Sequence, residues 1–389
     1  MSASSRAQGS ITEHGSEEIG QSMTANPFLG VFFHSIGGLA AASFYLPYGK
    51  VRKWSWETYW LVGGFCSWVI VPWVMACFLV PEVMSVLRQS PAESVMWSYV
   101  FGLMWGVGGL TFGLSMRYLG MSLGYAVALG LCAAFGTLMP PIFKGTMGEI
   151  VSKPAGWAVL FGVAVCLAGI AVSGLAGIHK EGELSEQEKK SVIKEFSFIK
   201  GVIVAIFAGV MSACMSFGVE AGAGIAKKAV ELGTPDLWQN LPVWIVVFAG
   251  GFTTNLVWCV ALNIKNGSFG NYIGVATAAG NPGGTTQVAA VEEGPPLVLN
   301  YVLSALAGTM WYFQFFFFGM GKPLMGKKYD FSSWSLHMAS IIIFSTLWGI
   351  WLREWGGVSR RTMKLVWAGV GVLVVSMIII GIGNSYAAK

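Results

Sequence analysis

Gly102-Leu103-Met104-Trp105 returns 206 positions later as Gly308-Thr309-Met310-Trp311, and the register holds through Phe112-Gly113-Leu114 against Phe318-Gly319-Met320. Both copies lie inside long apolar runs. An internal repeat in a membrane protein marks a carrier built from two related halves.

Composition points the same way. Apolar residues make up 54% of the 389-residue chain and charged ones 11%, too little polar surface for a soluble protein of this length. Runs long enough to cross the hydrocarbon core recur at 27 to 47, 58 to 80, 95 to 116, 120 to 142, 155 to 178, 201 to 222, 241 to 263, 296 to 320, 331 to 352 and 365 to 384. Residues 1 to 26 form a polar tail with Glu13, Glu17 and Glu18 and no apolar stretch, which predicts disorder rather than a signal or a span. Six cysteines fall inside the spans without a CxxC pair, so neither a disulfide framework nor a metal site is expected. The net charge of +5 is spread over the loops, and no nucleic-acid surface is expected.

Two connections stand out. Residues 179 to 200, with Lys180, Glu181, Glu183 and Glu186 among them, read as a charged cytoplasmic linker between a first repeat over 27 to 178 and a second over 201 to 389. The stretch 265 to 295 is Gly-rich around Gly280-Asn281-Pro282-Gly283-Gly284 and lacks helical periodicity. With the N-terminus outside, inner loops carry 14 of the 24 Lys and Arg residues, which favours both termini on the periplasmic face.

Five spans per copy have a geometric consequence. An odd number of crossings makes the second copy enter from the opposite face, so the repeat is inverted. The fold class is therefore an all-α integral membrane protein of ten transmembrane helices in two inverted five-helix repeats. Such an arrangement places a substrate near the midplane between the halves and exposes it to each side in turn.

Four local blocks carry a family resemblance: Lys53-Trp54-Ser55-Trp56-Glu57-Thr58, Met116-Arg117-Tyr118-Leu119-Gly120-Met121-Ser122, Met310-Trp311-Tyr312-Phe313-Gln314-Phe315-Phe316-Phe317 and Leu336-His337-Met338. Together they resemble the bacterial L-rhamnose-proton symporters of the drug/metabolite transporter superfamily. The resemblance covers essentially the whole chain after the tail. It implies an inner-membrane carrier, not an enzyme, that imports L-rhamnose or a related deoxyhexose with a proton and needs no other cofactor. One proton crossing 100 mV releases about 2.3 kcal/mol, enough for roughly a fifty-fold sugar gradient.

Ionisable residues inside spans are costly and mark function. His34, Glu220 and His337 are the three candidates for proton coupling. His34 shares a helical face with Gly37, Gly38, Ala41 and Tyr45; it reads either as a proton carrier or as a neutral histidine bonded to a neighbouring helix. His337, between Ser333 and Ser340, has the same two readings. Glu220 continues a stripe of Ser212 and Ser216 and reads either as a desolvated proton carrier or as a solvated helix end near Lys227 and Lys228.

The eighth span holds the clearest polar stripe. Asn300, Ser304, Ala307, Gly308, Trp311 and Gln314 recur at helical spacing. Gln314 offers hydrogen bonds to sugar hydroxyls and Trp311 a flat apolar surface, so both are expected in the substrate site with Asn300, Asn255, Trp105 and Tyr45. Close helix packing would also use such a stripe. Most tryptophans lie near span ends as an aromatic belt; only Trp68, Trp73, Trp105 and Trp311 are deep. Export or uncoupled carriage of another metabolite stays open. A membrane transferase would require an acidic or His/Asp constellation at one face, which the sequence does not display.

Overall fold

A computed structural model describes residues 24–119, 121–183, 197–275, 294–326 and 328–387. Most of the expected tail (1–23), the middle of the linker (184–196) and most of the Gly-rich stretch (276–293) lie outside the described residues.

All regular structure among the described residues is helical. Ten segments have the length and hydropathy to cross a bilayer: α1 (Pro27–Tyr48), α2 (Trp56–Leu79), α3 (Ala92–Ser115), α4 (Ala126–Phe143), α5 (Pro154–Glu183), α6 (Ile199–Glu231), α7 (Asp236–Asn266), α8 (Leu297–Leu324), α9 (Asp330–Trp351) and α10 (Arg360–Tyr386). The protein is a multi-pass membrane protein. Each segment overlaps its expected span, but α5 runs on to Glu183, and beyond Gly222 α6 adds an amphipathic helix, Ala223–Glu231.

Local chemistry sets the ends. The Asn26 side chain accepts from the Leu29 N–H at 3.1 Å, and Pro27 occupies the first turn, where no N–H is needed. Gly267 closes α7 at φ 60°, its N–H turned back onto the Asn263 and Ile264 carbonyls. Within α2, Pro72 lacks the N–H that would bond the Trp68 carbonyl. A π-helical turn at Cys66–Ile70 takes up the break and carries Trp68.

Ten crossings return Tyr386 to the side of Pro27, the terminal face; Glu183 and Ser197, which bound the linker's undescribed middle, lie on the other, the linker face. The Asn26 N–H bonds the Leu324 carbonyl at 3.0 Å, which pins the start of α1 beside the end of α8. Helix α5 lies along α10; α3 packs on α6 and α7, and α8 on α1 and α2; α4 packs on α6, and α9 on α1. Exchanging each helix of the first five with the one five places later maps this set onto itself.

Glycine allows the closest approaches. A Cβ on Gly102 would stand 2.1 Å from the Val247 carbonyl oxygen on α7, and one on Gly308 would stand 2.1 Å from that of Gly63 on α2. The repeat-related glycines therefore make equivalent crossings, α3 on α7 and α8 on α2. Along the α5–α10 seam, Gly162 faces Ile380 while Gly369 faces Ser173. Each position of the second pair lies 207 from its counterpart in the first.

Candidate transport site

Helix α8 forms the axis of the site. At its middle, Trp311 lies 5.6 Å from Trp105, its counterpart in the repeat, and 5.6 Å from Trp68; Trp68 and Trp105 are 5.9 Å apart. The repeated glycine is scaffold, but the repeated tryptophans meet at the centre of the molecule. Beside them is a cavity of about 10 Å³, lined by Phe44, Tyr48, Trp60, Trp68 and Trp311 among others. That is room for about one water. That space is far smaller than a sugar.

The expected contact residues divide. Trp105 and Trp311 join the central cluster. Asn255 joins it indirectly: its Oδ1 accepts from Trp60 Nε1 at 3.1 Å, while its Nδ2 donates to the Gly251 carbonyl at 2.9 Å. Gln314, only 5% exposed, lies one turn along α8, where its backbone carbonyl is pressed against Gly37 of α1. Asn300 and Tyr45 lie away from the cluster. Asn300 clamps the loop before α2, accepting from the Arg52 N–H at 3.1 Å and donating to the Arg52 carbonyl at 2.8 Å. Tyr45 is 56% exposed, because the regular helix stops at Ser43 and a separate turn, Tyr45–Tyr48, directs Phe44 and Tyr48 to the cavity instead. Trp60 is the member that sequence reading missed, since its place near a span start looked like an aromatic belt.

Below Trp311, Phe315 and Phe318 continue down α8 to the two histidines. His34 and His337 are fully buried, and the Phe318 ring separates them, at 5.2 Å from His34 and 5.4 Å from His337. Phe315 and Trp334 enclose His337 further. None of the four ring nitrogens has a hydrogen-bond partner among the described residues. The bond to a neighbouring helix backbone that a packing histidine would make is thus missing at both. A buried polar group left unpaired costs about 1–3 kcal/mol, and such groups mark a place where water, a proton or a ligand belongs. Trp68 Nε1, Ser304 Oγ, Trp244 Nε1 and the Tyr312 hydroxyl are unpaired in the same way. Three of these four belong to α8 or the tryptophan cluster.

Glu220 is neither solvated nor alone. Its side chain is 11% exposed and pairs with Lys144 of α4 and, at 2.7 Å, with Lys322 of α8; Lys322 also reaches Asp330 at 2.5 Å. Lys227 and Lys228 pair with Glu231 instead. This cluster borders a cavity of about 320 Å³ on the terminal face, floored by Pro140, Pro141 and Phe331. Acids distant in sequence, Glu149, Glu220 and Asp330, gather here, each opposite a lysine. Gly321 connects the cluster to the histidines, for a Cβ there would lie 2.9 Å from His34 Nε2.

Residues 23–386 match the family model of the L-rhamnose-proton symport protein. The chain belongs to the L-rhamnose-proton symport family. An L-rhamnose-proton symporter of Cronobacter sakazakii is 37% identical over 357 residues, 91% of this chain and 97% of the relative. Those of Shigella dysenteriae and Klebsiella pneumoniae are 36% and 35% identical, with the same shares covered. This is a family of transporters, not enzymes, and the terminal-face acids are read accordingly, as parts of a carrier rather than a catalytic cluster.

Proposed function

We propose that this protein imports L-rhamnose, or a deoxyhexose close to it, together with a proton. The observation that carries the reading is the column along α8: three facing tryptophans where the halves meet, then two buried, unpaired imidazoles. An aromatic centre suits the CH-rich face of a deoxyhexose, with Gln314, Ser304 and Trp68 Nε1 available for hydroxyls. The two imidazoles, with no competing partner, are the groups of this column that can take up and release a proton.

The helix pairing, the matched glycine crossings and the Trp105–Trp311 contact support an inverted repeat whose pseudo-twofold axis passes through the centre. Rocking of one half against the other would open the centre to each face in turn. We place the terminal face outside and the linker face in the cytoplasm of a bacterial inner membrane. The terminal-face cavity is then the entrance, with the Glu220 cluster at its border.

Uptake into proteoliposomes tests the reading. An imposed inward proton gradient should accelerate and concentrate labelled L-rhamnose, and fucose and other hexoses should compete less well. Sugar entry indifferent to the proton gradient would refute symport.

A further inference from the structure

At the linker face a second carboxyl group is buried among neutral partners. Glu57, in the first turn of α2, is 4% exposed. Its Oε1 accepts from Ser268 Oγ at 2.6 Å and from Asn266 Nδ2 at 3.0 Å. Around these lie Thr58, Asn263 and Asn271, and the Asn271 Oδ1 accepts from the Ser55 N–H at 2.9 Å. The short turn Ser268–Ile273 is thereby fastened to α2 and α7. Titratable groups near Glu57 are Tyr59 on its own helix, Cys259 on α7 and Tyr272 on the turn; Arg52 and Lys53 precede it in the chain.

The Ser268 hydroxyl has one proton and two acceptors. It lies 2.6 Å from Glu57 Oε1 and 3.0 Å from Asn263 Oδ1. With Glu57 ionised, the hydroxyl points at the carboxylate, and 2.6 Å is the length of a charge-assisted bond. With Glu57 protonated, the carboxylic acid can donate to Ser268 Oγ while the hydroxyl proton turns to Asn263 Oδ1. The same heavy atoms satisfy both states. Glu220 has no such freedom, because protonating it would leave Lys144 without its partner and Lys322 with Asp330 alone.

We propose that Glu57 is a second proton-binding group of the carrier, at the face opposite the Glu220 cluster, with Ser268 as the pivot that accommodates both of its states. This rests on the symport reading above. A symported proton bound at His34 and His337 must leave by the other face, and Glu57 lies there.

The test uses the full-length carrier in proteoliposomes, with a pH electrode recording sugar-linked proton uptake beside counterflow of labelled L-rhamnose. In Glu57→Gln, whose amide oxygen still accepts from Ser268 and Asn266, counterflow should persist at a reduced rate while sugar-linked proton uptake falls at least tenfold. Ser268→Ala should lower proton uptake relative to counterflow, and Ser268→Thr, which keeps the hydroxyl, should restore it. Proton uptake in Glu57→Gln that stays in wild-type proportion to counterflow would overturn the proposal and leave Glu57 as a structural cap. If the wild-type protein takes up no proton with sugar, the symport reading fails and the proposal with it.

Discussion

Glu220 and His34 present the same puzzle in the sequence, an ionisable residue inside an apolar helix, and the structure gives opposite answers. Glu220 is held by ammonium groups from two other helices, one of which also holds Asp330. His34 and His337 have aromatic rings around them and, among the described residues, no partner for any ring nitrogen. Burial is common to both, so burial does not identify the proton carrier. Partnership separates them: Glu220 is a paired carboxylate that ties helices together, whereas no ring nitrogen of His34 or His337 has a partner among the described residues.

The sharpest break of this contrast is in stability. Glu220→Gln leaves Lys144 without a partner and Lys322 with Asp330 alone, and losing charge-assisted bonds to a buried lysine costs about 1.5 to 3 kcal/mol. The variant should melt below wild type in detergent. His337→Leu removes two unpaired polar atoms and should melt no lower than wild type. A Glu220→Gln protein of unchanged melting temperature that no longer accumulates sugar would reverse the assignment and make Glu220 the carrier.

The next effect is on coupling. His34→Ala should abolish proton-driven accumulation, a loss of up to about fifty-fold at 100 mV, and leave counterflow partly intact. Accumulation equal to wild type would remove His34 from the proton path. Smaller again is Gln314→Ala. One lost hydrogen bond to a sugar hydroxyl is worth about 1 kcal/mol, so apparent affinity should weaken about fivefold at unchanged expression. Undiminished affinity would move the hydroxyl contacts to Ser304 and Trp68.

Which features the sequence discloses follows from the physics of each. Ten spans and the repeat are legible because hydrophobic length and small-residue spacing are local properties. The Trp105–Trp311 meeting is half legible: both residues stand in the repeat, but only the packing brings them face to face. The Glu220 cluster is not legible, since Lys144, Lys322 and Asp330 are far apart in the sequence and all three lie at or beside span ends. The exposure of Tyr45 is not legible, because the regular helical face ends at Ser43, where the helix breaks. The pairing of Asn300 is not legible either, since its place in the α8 stripe does not disclose that its amide faces the Arg52 backbone.

Asn300 extends the contrast to neutral side chains. It lies on α8 like Gln314 and is as deeply enclosed, at 0% against 5% exposure. Its amide is occupied on both sides by Arg52, so Asn300 is to Gln314 what Glu220 is to His34. Asn300→Ala should cost about 1 to 2 kcal/mol of stability by orphaning the Arg52 N–H and carbonyl, with sugar affinity unchanged. A melting curve and a counterflow titration on the same preparation separate the two effects. Affinity that falls while the melting temperature holds would show that Asn300 releases Arg52 when the centre opens and turns to the sugar, in which case its pairing in this structure is a latch that opens during transport rather than a permanent structural tie.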